Sequence, residues 1–94
     1  MNIELVVIPQ NIKDKIESKH NIARREGEEI FASNPQFRFA EKGHVRGENL
    51  YRAIGRTESG RYLVVFFILK ANRTALVISA RDLTTTERKQ YGKK

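Results

Sequence analysis

Ninety-four residues suit one small domain, spanning 1–94, and leave no room for a second. With 39% apolar and 31% charged residues the chain reads as globular rather than disordered, and the absence of cysteine excludes a disulfide framework or a cysteine-based metal site. The net charge of +7 is uneven: up to Gly47 eight Lys/Arg face seven Asp/Glu, and beyond it ten face four, so the second half suggests a polyanion, nucleic acid first, or an acidic partner protein.

The opening Met-Asn-Ile-Glu-Leu-Val-Val-Ile carries an acid and is too short for a signal peptide. The longest apolar run, 62–69, is far short of a membrane span, so a soluble, cytoplasmic protein without membrane contact is expected. Ile3 to Ile8 reads as an edge strand or a packed N-terminal arm. Pro9 then sits where a first helical residue is favoured, and Ile8, Ile12 and Ile16 follow helical spacing, predicting a helix from about Pro9 to Lys19. His20-Asn21 ends it, because Asn tolerates the left-handed cap. A second helix is predicted from about Ile22 to Ser33, with Ala23, Gly27, Ile30 and Phe31 on one face. Arg24/Glu28 and Arg25/Glu29 are spaced to pair across its wet face.

Asn34-Pro35 stops that helix. Gln36 to Ala40 alternates, with Phe37 and Phe39 on one side, and 41–49 is a glycine-containing loop. Strands are predicted from about Leu50 to Thr57, Arg61 to Lys70 and Thr74 to Arg81, joined by hairpin-length turns at 58–60 and 71–73. The middle strand is apolar on both faces, Tyr62/Val64/Phe66/Ile68 and Leu63/Val65/Phe67/Leu69, so both need cover. The helix pair supplies one cover; the C-terminal helix or a partner protein supplies the other. Thr84 followed by Glu87 matches a capping box, predicting a short helix to about Tyr91 and then a frayed basic tail, Gly92-Lys93-Lys94. The fold class is therefore α+β: two N-terminal helices, an antiparallel sheet of about four strands and a short C-terminal helix.

No phosphate-cradling glycine loop, Gly-x-Ser-x-Gly elbow, metal-ligand spacing or acidic cluster is present, so neither a cofactor nor a metal is expected. One reaction suits a basic surface without a metal: RNA cleavage by the RNA's own 2′-hydroxyl. It needs a base, an acid and cations for the phosphate. Lys19, His20, His44, Glu87 and Tyr91 can trade protons; Arg52, Arg61 and Arg81 can hold phosphate bidentately. Each also has a structural explanation. His20 suits a helix C-terminus and His44 a solvated loop. Glu87 suits a cap, Arg81 a surface pair with Asp82, and Tyr91 core packing.

The chain resembles the BrnT-type toxins, a branch of the RelE-like ribonuclease toxins of bacterial type II toxin–antitoxin systems. The resemblance runs from about Lys13 to Tyr91. It rests on Lys19-His20, on Gly-Glu-Glu-Ile-Phe at 27–31, and on Tyr51-Arg52-Ala53-Ile54-Gly55. Val64-Val65, Ile78-Ser79-Ala80-Arg81, Thr84, Glu87-Arg88 and Tyr91 complete it. The chain departs from the family pattern in having no tryptophan and in placing Asn21 after His20. The resemblance implies a RelE-like fold and an endoribonuclease that cleaves mRNA and inhibits translation. It also implies neutralisation by a BrnA-like ribbon-helix-helix antitoxin, with operator DNA reached only through that complex. By the same resemblance the catalytic residues are Lys19, His20, Arg52, Arg81 and Tyr91, with Glu87 and Arg88 carried over beside them. RNA contacts are expected at Arg56, Arg61, Arg88 and Lys89. The rival reading is a non-catalytic basic RNA- or protein-binding module, a degenerate toxin.

Overall fold

The computed structural model of the chain describes residues 1–92; of the expected basic tail, Lys93 and Lys94 lie outside them. The elements are β1 (Leu5–Val7), α1 (Gln10–His20), α2 (Arg24–Ala32), β2 (Gln36–Glu41), β3 (Leu50–Arg56), β4 (Tyr62–Lys70), β5 (Thr74–Asp82) and α3 (Thr85–Tyr91). The class is the expected α+β, but the sheet has five strands, in the order β1-β5-β4-β3-β2. The added one is the N-terminal apolar segment, whose three residues pair parallel with β5 from Leu5↔Thr74 to Val7↔Leu76. It is thus an edge strand, and α1 and α2 follow it across one face of the sheet.

Local chemistry sets the helix ends. Pro9 stands just outside α1 as its N-cap rather than as its first residue. Asn21 is left-handed (φ 54°), and the N–H groups of Asn21 and Ile22 bond back to the carbonyls of Glu17 and Ile16 at 3.0 and 3.1 Å. That closure reverses the chain and leaves Ile22 fully buried. At the start of α2 the Glu26 carboxylate accepts from the Ala23 N–H at 2.9 Å. Arg25 pairs with Glu29 as its spacing predicts, whereas Arg24 turns away from Glu28 and donates to the Ile8 carbonyl at 2.8 Å. Satisfying a carbonyl at the end of β1 outweighs an exposed ion pair.

The core lies between the helix pair and the sheet: Ile16, Ile22 and Ile30 pack on Ala53, Leu63, Val65, Phe67, Val77 and Ala80. Phe67 is its aromatic centre, with the rings of Phe31, Phe37 and Tyr51 at 5.2, 6.0 and 5.9 Å. Burying such a side chain contributes about 3 kcal/mol. Gly55 lets α2 approach, since a Cβ there would stand 2.9 Å from Ser33 Oγ and 3.4 Å from Ile30 Cγ2. On the opposite face Val64 is buried while Tyr62, Phe66 and Ile68 are half-buried, and α3 lies against Tyr62 without burying any residue of its own.

A bulge decides where the strand-end arginine points. Phe66 pairs with Ser79 and Phe67 with Val77, so Ile78 is the extra residue of β5. Before it Ala75 and Val77 face the helices; after it Ala80 does. Strict alternation from Val77 would aim Arg81 into the core. The bulge turns it to the other face.

Candidate active site

Cross-strand pairing lays two rows of side chains on that second face. One is Arg38–Arg52–Phe66–Ser79, from β2 to β5, and the next is Gln36–Ile54–Val64–Arg81. Directly paired residues share a face, so arginines of three strands lie around a small apolar floor. Arg81 spreads its guanidinium 5.5 Å above the Phe66 ring. At the rim, Arg56 and Arg88 sit 5.6 and 4.2 Å from the centre of the Tyr62 ring, which also meets the Tyr91 ring edge-on at 5.9 Å.

The chain after β5 returns over this face as α3. Thr84 caps it: Glu87 N–H donates to Thr84 Oγ1 at 3.1 Å, and Thr84 N–H donates to Glu87 Oε1 at 2.9 Å. The same carboxylate takes both arms of Arg81, Nη1 to Oε1 at 2.7 Å and Nη2 to Oε2 at 2.9 Å. Those Arg81 bonds, with the capping bond from Thr84, hold the Glu87 carboxyl well below its ordinary range, at about 2. Arg81 is shifted upward by the same pairing. Arg81 therefore pairs with Glu87, and not with Asp82 as the surface-pair reading had it.

Between α3 and the sheet lies a cavity of about 150 Å³, with Gln36, Arg38, Arg52 and Ile54 as floor and Glu87, Gln90 and Tyr91 as wall. Arg52 Nε–H is buried here and has no hydrogen-bond partner among the described residues. A larger, open hollow of about 340 Å³ adjoins Arg56, but Glu29 and Glu58 line it, and two carboxylates disfavour an anion.

Arg52 and Tyr91 thus line one groove, which Arg81 adjoins through Glu87, while Lys19 and His20 end α1 in the other layer. Lys19 is exposed and His20 half-buried. The His20 carbonyl accepts from Arg61 Nη2 at 2.7 Å. Arg61, expected at the RNA, has all five N–H groups bonded within the chain. They reach the His20 and Asn21 carbonyls, Glu26 and both oxygens of Asp82. The Arg61 hydrogen bonds are also the main cause that lowers the Asp82 carboxyl. Arg88 and Arg56 flank Tyr62, Lys89 is exposed on α3, and His44 lies in an exposed loop. Arg38 also lines this groove, and the sequence reading did not single it out. Its position opposite Phe37 and Phe39 placed it off the core, but only the β2–β3 register puts it beside Arg52.

Among the described residues no group of three or more His, Asp or Glu side chains is placed to hold a metal ion. No helix among them is long and apolar enough to cross a membrane. A family model described as the ribonuclease toxin, BrnT, of type II toxin–antitoxin systems matches residues 10–87, from the first residue of α1 to the glutamate that binds Arg81. No curated protein matches the chain.

Proposed function

The chain belongs to the BrnT family of ribonuclease toxins of type II toxin–antitoxin systems, and from that premise we propose that it is a metal-independent endoribonuclease that cleaves mRNA and inhibits translation. The observation that carries this reading is the groove under α3, lined by Arg52 and Tyr91 and walled by the Glu87 that Arg81 grips.

In this reading the scissile phosphate takes the place of the Glu87 carboxylate in the Arg81 fork. Each presents two oxygen acceptors to the bidentate donor. The RNA 2′-oxygen attacks phosphorus and its proton passes to a base. The P–O5′ bond breaks and O5′ takes up a proton, leaving a 2′,3′-cyclic phosphate and a 5′-hydroxyl. Arg81 stabilises the charge that builds on the phosphate oxygens. Tyr91 on the groove wall is the nearer proton carrier. Lys19 and His20 are the alternative, for an RNA that wraps around the sheet end toward Arg61 and Asp82. In this reading Arg56, Arg88 and Lys89 hold the strand as it leaves the groove.

A type II toxin implies an antitoxin partner. We assign it as a BrnA-like ribbon-helix-helix protein that covers this groove, with both acting in the cytoplasm and operator DNA bound only by the complex. One observation favours the non-catalytic alternative: Glu87 fills the Arg81 fork. The two are separated by incubating the purified chain with RNA and with its 2′-deoxy counterpart, in excess chelator. Cleavage of the RNA alone, with cyclic phosphate ends, is expected. Intact RNA beside retained RNA binding would leave the binding module.

A further inference from the structure

We propose that Arg38 and Arg52 form a second anion subsite, holding an RNA phosphate that flanks the one at Arg81. The nature of the anion rests on the ribonuclease reading above; the existence of the subsite does not.

Arg38 and Arg52 are direct cross-strand partners on one face. Like charges in that position repel. Among the described residues neither guanidinium has a carboxylate in ion-pair range, whereas Arg81 has Glu87. Arg56 and Arg88 are compensated by the Tyr62 ring. The repulsion is compounded by a buried donor at Arg52 Nε that finds no partner among the described residues. Leaving such a donor unbonded is costly, and a ligand rich in acceptor oxygens removes both penalties at once. The cavity of about 150 Å³ beside the pair is polar and suits a tetrahedral anion held in a planar guanidinium fork. Glu87 on its wall does not serve the pair, because both its oxygens are engaged by Arg81.

The spacing separates the two sites. Arg52 is on β3 and Arg81 on β5, two strand intervals or about 10 Å apart in the order β5-β4-β3. The two guanidiniums enter from different strands, and Arg38 and Arg52 line the cavity under α3 whereas Arg81 does not. A single-stranded RNA crossing the strands beneath α3 places successive phosphates at each. Arg38, on the edge strand and exposed, stands where that path opens to solvent.

The test follows the Arg52 side-chain Nε–H signal by nuclear magnetic resonance. Inorganic phosphate, then a short 2′-deoxy oligonucleotide that this chemistry cannot cut, are titrated into the purified chain. Both are expected to shift the signal saturably and slow its exchange, the oligonucleotide at far lower concentration. Arg38→Gln, at an exposed position, should weaken both by about tenfold. No movement with either probe overturns the subsite, even if the wild-type chain cuts RNA. Movement with phosphate but not with the oligonucleotide overturns its assignment to RNA. Movement with phosphate in a chain that leaves RNA intact supports the subsite and removes the ribonuclease reading instead.

Discussion

Arg81 and Arg61 both stand at strand ends, yet their surroundings assign them different work. Arg81 has a single exchangeable carboxylate in its fork and an aromatic ring beneath it. Its loss should leave the fold intact and remove the charge stabilisation at phosphate. Arg81→Ala is expected to slow single-turnover RNA cleavage by on the order of a hundredfold or more, with an unchanged circular dichroism spectrum. Arg81→Lys should recover little, since an ammonium cannot grip two oxygens at once. Glu87 is the pH-sensitive member of the pair. Its folded value of about 2 lies below the ordinary 4.5. Its contribution to stability is therefore present above the ordinary value and lost as pH falls from about 4.5 toward 2. Glu87→Gln should cost stability at neutral pH by denaturant unfolding, and the difference from wild type should shrink across that acid window. A constant difference down to pH 2 would mean that the carboxylate charge is not what Arg81 and the cap respond to.

At the scale of elements, Arg61 ties the end of α1, the first turn of α2 and the end of β5 to the start of β4. Arg61→Ala is expected to lower unfolding stability by about 1–3 kcal/mol, the half-exposed Asp82 keeping it from being larger. RNA affinity should change little in the fraction that stays folded. An unchanged denaturation midpoint with weakened RNA binding would return Arg61 to the RNA surface. The helices, the three long strands and the Thr84–Glu87 cap were legible because each is written in local spacing and capping chemistry. The Ile78 bulge was not: an inserted residue in Val-Ile-Ser-Ala-Arg leaves the apolar pattern unbroken while reversing where Arg81 points. The pairing of β1 with β5 and the meeting of Arg38 with Arg52 were hidden for a related reason. Register is a property of two strands, and one strand's alternation states only its own faces. Arg52, Arg81 and Tyr91 drew their proposed roles from the family resemblance, but Glu87 inside the Arg81 fork required the course of α3.

For the whole molecule, one sheet face is sealed by α1 and α2 and the other is only partly roofed by α3, leaving arginines and half-buried Phe66 and Ile68 at the surface. The edge strands add exposed Leu5, Val7 and Phe39. A small core with such a face gains from a partner. The antitoxin should raise the melting temperature, by about 2.7 kcal/mol of added stability at a hundredfold excess over its Kd. Calorimetry of the complex without a shift would argue that the groove stays uncovered. Cleavage of mRNA by this groove is followed inside cells. The chain is induced without an antitoxin, and transcript ends and growth are followed together, with Arg81→Ala as the paired control. Growth arrest with fragmented transcripts is expected for the wild type, and normal growth with intact transcripts for the variant. Normal growth and intact transcripts with the wild-type chain, expressed and folded, would contradict it.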